Sequence, residues 1–246
     1  MTQTDGAPTA SQDTQLASWA DQLLQPARYV ASDELATIRA AGQAIAHRIT
    51  GGARLVTFGA GHSWCLAAEL SYRAGGLPEV IAAHLGDVMP EPHEAAWMYL
   101  ADSEPERLPE LGQALIDHHQ IAPGDALLIA TNSARNGAIV ELARRATEQG
   151  TLVVAIVSRA HGAAVASRHP SGLKASDFAD FVIDNHGTAG DAAIEFAPGH
   201  LGGATSTIAG ALIAQMLALV IAEAVTRTDG EFATLRSANL DPKGDH

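Results

Sequence analysis

Short runs of almost purely apolar residues recur along this chain at 54–58, 79–83, 126–130, 151–157 and 178–183, with helix-forming segments between them. A strand with apolar side chains on both faces leaves no side for water. It belongs in a parallel sheet covered by helices above and below. The pattern predicts an α/β fold, a three-layer αβα sandwich in one domain with an N-terminal helical extension. The low aromatic content, 4%, means that Ala, Leu, Val and Ile must build the core, and 23 glycines suit tight strand–helix turns.

The rest of the chain falls into place around those strands. Residues 1–12 are polar and read as a disordered arm. Residues 16–24 read as a short helix that stops near Pro26. Ser32 is an N-cap candidate for a helix running to about Ile49, ended by Gly51-Gly52. Further helices are expected over 63–73, 111–119 and 136–149. The stretch 84–109, with its prolines and acids, has no regular reading, and 161–176 reads as a spacer. A long apolar helix is expected over 206–227. It carries Gln215 and Glu223, which fits a buried core helix better than a membrane span. The resulting division is 1–31 for the arm and short helix, 32–230 for the main domain and 231–246 for a tail.

Formal net charge is −13, which argues against nucleic acid or an anionic membrane as partner. Cys65 is the only cysteine, so no internal disulfide forms, and a cytoplasmic protein is expected. The N-terminus has neither a basic start nor an apolar core of a signal peptide. The eleven histidines show no His-x-x-x-His on an expected helix, and there is no Cys pair. Neither a metal nor a cofactor is expected.

Two loops carry the chemistry. Gly59-Ala60-Gly61-His62-Ser63 follows the first strand, and Thr131-Asn132-Ser133-Ala134-Arg135-Asn136 follows a later one; each opens a helix. Such turns present backbone N–H groups that favour an anion. The first loop alone fits a tight strand–helix turn. It also starts like a dinucleotide fingerprint, but position 64 is Trp instead of the third glycine. The second loop crowds several small polar side chains into one turn, where a single N-cap would suffice. A phosphate accepts several short hydrogen bonds from such a cluster, so a phosphorylated small molecule is the expected ligand.

With both loops in this order and spacing, the chain resembles the sugar-isomerase (SIS) family of phosphosugar-binding domains over about residues 33–230. The family pattern has a Gly-x-Gly-x-Ser turn and a later Ser-x-Ser-Gly-x-Thr turn. Val153-Val154-Ala155-Ile156-Val157-Ser158 and Ala179-Asp180-Phe181-Val182-Ile183 also fit it. Within the family, Gly-Ala-Gly-x-Ser, Ser133-x-Arg135 and Ala204-Thr205-Ser206-Thr207 resemble the N-acetylmuramic-acid-6-phosphate etherase branch and related uncharacterised bacterial SIS proteins. The resemblance implies a flavodoxin-like sheet and a homodimer or higher homo-oligomer. It also implies a sugar 6-phosphate held by Ser63, Thr131, Asn132, Ser133 and Asn136. Two positions depart from the pattern: Ala134 stands where the family has Gly, and Asn136 where it has Thr or Ser.

Chemistry on an aldose phosphate begins with removal of the proton beside the carbonyl, which needs a positioned base. The candidates are Glu69, nearly two helical turns past Ser63, and, about thirty residues before the second loop where the etherase branch has a glutamate, Glu104 or Glu106, of which Glu106 is preferred because it can begin the helix through Leu111. Each has a plain alternative, a solvated helix acid for Glu69 and a helix-start acid for Glu106. His62, inside the first turn, is a candidate proton or phosphate donor. Asn185, Asp191 and His200 are candidates for sugar contacts, His200 from a dimer mate, and His93-Glu94 for closing over the sugar. The expected reaction is elimination on an N-acetylhexosamine 6-phosphate such as N-acetylglucosamine 6-phosphate. Aldose–ketose isomerisation is the alternative enzyme, and a non-catalytic sugar-phosphate sensor the alternative of another class.

Overall fold

A computed structural model of the chain describes residues 10–89, 104–229, 234–237 and 239. His93 and Glu94, and most of the arm and tail, lie outside the described residues.

The helices are α1 (Ala10–Asp33), α2 (Leu35–Thr50), α3 (Trp64–Glu69), α4 (Pro109–His119), α5 (Gly137–Gln149), α6 (Arg159–Ala164) and α7 (Ser206–Asp229). The strands are β1 (Leu55–Gly59), β2 (Ile81–Ala83), β3 (Ala126–Ala130), β4 (Leu152–Val157), β5 (Phe181–Asp184), β6 (Ala192–Ala197) and β7 (His200–Ala204). The first five strands form one sheet in the order β2-β1-β3-β4-β5, with every pairing parallel. This is the expected flavodoxin-like sheet.

Alternate residues of each strand feed opposite layers. Leu55, Ala126, Leu128, Val154 and Ile156 pack with α1, α2 and α7. Val56, Phe58, Leu127, Ile129, Val153 and Ala155 pack with α4 and α5. Both faces are therefore dry, as the unbroken apolar runs require. By length and composition α7 could cross a membrane, but Ala209, Ile213, Ala214, Leu217, Ile221 and Val225 are all buried in the first core.

Several expectations fail locally. The first helix is not a short 16–24 segment but runs from Ala10 to Asp33 with Pro26 inside it. An internal proline removes one helical hydrogen bond. Beyond it, however, Val30 is fully buried and Ala27 packs on the core, so burial carries the helix through. Ser32 caps nothing: its single O–H lies within hydrogen-bond distance of Asp33 and of the Tyr29 carbonyl, and α2 starts after Glu34. The helix after the first loop ends at Glu69 rather than Arg73, and Tyr72 beyond it has a left-handed φ of 51°. Residues 159–164, mostly read as spacer, form α6, capped by the Ser158 side chain. An antiparallel hairpin, β6 and β7, stands where no strand was expected.

Candidate functional site

The strand order reverses between β1 and β3, the place where an open parallel sheet leaves a crevice beyond its strand ends. The two loops follow these two neighbouring strands. Each is shaped by a local constraint. A Cβ on Gly59 would lie 2.3 Å from the Ser63 carbonyl oxygen, so the first loop can fold back over its strand only with glycine there. Gly61 then takes φ +57° to start the 3-10 turn Gly61–Ser63. Behind it, the Thr57 hydroxyl donates to the Ala67 carbonyl at 2.9 Å and ties β1 to α3.

In the second loop the Thr131 hydroxyl accepts the Ala134 N–H at 3.2 Å. Ala134 sits in the left-handed region at φ +54°, where the family pattern has glycine. A cavity of about 160 Å³ lies between the loops, lined by Phe58, Ala60, Ser63, Glu106, Thr131, Asn132, Ser133, Asn136, Ala138 and Ile139. The structure thus brings together Ser63, Thr131, Asn132, Ser133, Asn136 and Glu106.

The donors in this cavity are oriented from behind. Gly187 N–H donates to Asn185 Oδ1 at 2.8 Å, which fixes the Asn185 amide. Its Nδ2 then donates to Asn132 Oδ1, also at 2.8 Å. With its oxygen taken, Asn132 keeps Nδ2 as a donor end that has no partner among the described residues. The hydroxyls of Ser63 and Ser133 likewise bond to no other described residue. Asn185 is buried behind Asn132 rather than in the cavity wall.

Asn136 occupies the N-cap position of α5 with extended backbone, yet its side chain makes no capping bond. Instead Nδ2 donates to Glu106 at 2.7 Å, and Oδ1 accepts from Arg168 Nη1 at 2.9 Å. Glu106 lies in the 3-10 turn Pro105–Arg107 that leads into α4. Burial pushes its carboxyl above the ordinary glutamate value, against the Asn136 hydrogen bond and the Arg168 and Arg107 charges. A carboxyl tuned upward inside a polar cavity is suited to taking and returning a proton.

The other candidates lie elsewhere. Glu69 pairs with Arg73 and accepts from Gln215 Nε2 at 2.8 Å, on the α7 side of α3. His62 is exposed in the first turn and does not line the cavity. Asp191 accepts from Thr205 N, Ser206 N and the Ser206 hydroxyl, holding the start of α7. His200 is exposed on the hairpin, its ring 6.0 Å from that of Phe196. Among the described residues no cluster of His, Cys, Asp and Glu is arranged to hold a metal. Arg168 went unnoticed in the sequence. It lies in the stretch read as spacer, 32 positions from the Asn136 it bonds, with no motif around it.

Comparison with known proteins places this geometry in a class. A family profile described as the SIS domain matches residues 18–158. The chain belongs to the SIS domain family. Among its relatives are UPF0309 proteins of Halalkalibacterium halodurans, 33% identical over 80% of each chain, and of Streptomyces coelicolor, 34% identical over 90% of this chain and 87% of the relative. A phosphoheptose isomerase of Francisella tularensis has a similar structure, with TM-score 0.56 at 14% identity over 88% of this chain and all of that one. A phosphoheptose isomerase of Neisseria gonorrhoeae matches with TM-score 0.50 at 12% identity over 89% and 99%.

Proposed function

We propose that this protein is an enzyme acting on an N-acetylhexosamine 6-phosphate, N-acetylglucosamine 6-phosphate foremost, with Glu106 as the base. One observation carries the reading: a raised-pKa carboxylate shares a cavity with two hydroxyl-rich loops at the sheet's switch point. Ser63, Thr131, Asn132 and Ser133, with the N–H groups at the start of α5, hold the phosphate. Glu106 then takes the C2 proton of the open-chain aldehyde, and the C2–H electrons delocalise onto the C1 oxygen. In elimination they return to form the C2–C3 double bond as the C3–O bond breaks. Glu106 gives the proton it took to the C3 oxygen, which leaves as water from a free hydroxyl or as lactate from a lactyl ether. The likeness to the etherase branch supports this outcome.

Isomerisation is the second reading. Glu106 is the one carboxylate among the described residues lining the cavity, and a single base suffices to move a proton from C2 to C1. The proteins of similar structure named as phosphoheptose isomerases fit that reading. Proton NMR in D2O with N-acetylglucosamine 6-phosphate and, in parallel, glucose 6-phosphate separates the outcomes. Both reactions exchange the C2 proton; elimination gives an alkene signal from the acetamido sugar, and isomerisation, which needs a C2 hydroxyl to become the ketone, gives a ketose from the 2-hydroxy sugar. Glu106→Gln is expected to slow exchange by about 10²–10⁴-fold. Binding without any exchange would make the protein a sensor instead. No preference for the phosphorylated sugar over the free one would remove the whole reading.

A further inference from the structure

Asn136 connects two groups of opposite charge that come from distant parts of the chain. A guanidinium only donates hydrogen bonds, and an ionised carboxylate only accepts them. The amide between Arg168 and Glu106 therefore has one orientation, oxygen to Arg168 at 2.9 Å and nitrogen to Glu106 at 2.7 Å. That double engagement accounts for the missing N-cap bond of α5. It also takes the amide oxygen and one amide hydrogen of Asn136 away from any ligand.

Arg168 is itself fixed in place. Its N–H donates to the Arg135 carbonyl at 2.8 Å, and Ala175 N–H donates to the Ala134 carbonyl at 2.9 Å. Between them, His169 Nε2 meets Glu141 of α5 at 3.0 Å and His169 Nδ1 meets the Ser171 hydroxyl at 2.8 Å. The Ser167 hydroxyl closes the segment onto the Leu173 carbonyl at 2.6 Å. The segment 167–175 is thus stitched to the second loop and to α5, and it delivers one guanidinium to one amide.

We infer that Arg168 is a positioning residue for the carboxylate of this cavity: acting through Asn136, it sets where Glu106 points and holds it at the wall shared with Thr131, Asn132 and Ser133. The inference deepens the proposed function and rests on it for the substrate. It also assigns Asn136 to the carboxylate, leaving the phosphate to Ser63, Thr131, Asn132, Ser133 and the start of α5. The charged groups acting on Glu106 are Arg107 from its own turn and Arg168 from the stitched segment. Arg135, in the second loop, acts on Arg168 in turn. Burial raises the Glu106 carboxyl, and the Asn136 bond and the two arginines oppose it. Removing Arg168 takes away one opposing charge and the brace behind the amide.

The test reads Glu106 directly. In full-length protein labelled with 13C-glutamate, its carboxylate resonance is assigned by its loss in Glu106→Gln. It is then followed against pH in the wild type, Arg168→Ala, Arg168→Lys and Asn136→Ala. The expected midpoint rises in both alanine variants, and Arg168→Lys restores part of the wild-type value because an ammonium still donates. An unchanged midpoint in Arg168→Ala overturns the inference. If that variant does not fold, an unchanged midpoint in both Arg168→Lys and Asn136→Ala does the same.

Binding and exchange provide the second readout. Arg168→Ala is expected to keep its affinity for N-acetylglucosamine 6-phosphate and inorganic phosphate within about threefold, since no phosphate contact is lost. Its C2-proton exchange at saturating sugar should fall about 10- to 100-fold, the size of a misplaced catalytic group. Loss of phosphate affinity would make Arg168 a ligand of the anion, contrary to the inference. If the wild type shows no exchange, the proposed function fails, and the carboxylate titration still decides what Arg168 does.

Discussion

Ala134 holds a left-handed backbone, φ +54°, with its methyl group buried among Ala138, Ile139 and their neighbours. A left-handed non-glycine residue costs about 1–2 kcal/mol. Glycine would relieve that strain but lose about 0.8 kcal/mol of methyl burial and add about 0.5–1 kcal/mol of backbone entropy. Urea unfolding of Ala134→Gly is therefore expected to show stability within about 1 kcal/mol of wild type. Ala134→Val, branched and overpacked in the same pocket, should lose about 2–3 kcal/mol. Glu106 invites a different measurement. Its folded pKa lies above its unfolded one, so the folded state holds the proton longer. Ionising it costs stability, a cost absent below the ordinary glutamate value and fully present above the folded one. Glu106→Gln should then melt higher than wild type at pH 7 and equal to it at pH 4, while exchange activity falls. Both loops were readable in the sequence because turn chemistry is local: the glycines, hydroxyls and left-handed position lie within a few residues of one another. The Arg168–Asn136–Glu106 chain was not, because it joins three segments that only the fold brings together.

At the scale of elements, α5 is the helix on which the site hangs, and Glu141 anchors it. Its carboxylate takes Arg144 on both oxygens at 2.6 and 2.9 Å, Arg145 at 2.8 Å and His169 at 3.0 Å. The Arg144 hydrogen bonds, followed by those from Arg145 and His169, pull its pKa down to about 2. A lowered folded value stabilises above the unfolded one and is lost as pH falls through the folded value. Allowing for solvent around the half-exposed Arg145, the contribution is on the order of 2 kcal/mol. Glu141→Gln should lose about that much at pH 7, and the difference should shrink below pH 4 and close near pH 2. Amide exchange over 165–175 should quicken in the same variant, since His169 loses its partner. The central strands were legible to within a residue or two because an unbroken apolar run has one place to go. The hairpin β6–β7 was not: Pro198, Gly199, Gly202 and Gly203 interrupt any strand pattern, and Phe196 and Leu201 remain exposed, so no core pattern betrays the strands. The continuation of α1 past Pro26 was hidden for the opposite reason. A local breaker was overruled by burial at Val30, which depends on a helix nearly two hundred residues downstream.

For the whole molecule, the parallel sheet and its switch point follow from the strand–helix alternation, whereas the site's electrostatics depend on where a few charges collect. The chain carries a net −13, yet Arg107, Arg135 and Arg168 gather beside the cavity closely enough that Arg168 feels the other two. A sugar phosphate approaching from a distance is expected to be repelled by the net charge, with the three arginines opposing that repulsion only at short range. At 0.01 M salt the screening length is about 30 Å, so the whole charge acts; at 0.15 M it is about 8 Å, and chiefly the local arginines remain. Association of an anionic ligand should therefore accelerate with added salt, by severalfold between these limits, opposite to the usual steering of a ligand by a complementary surface. Stopped-flow binding of N-acetylglucosamine 6-phosphate in sodium chloride, whose anion competes weakly, measures this. A steep fall in the association rate would mean that the arginine cluster governs the approach from afar. In Arg168→Ala the acceleration should persist, because the long-range field belongs to the whole chain and not to that residue.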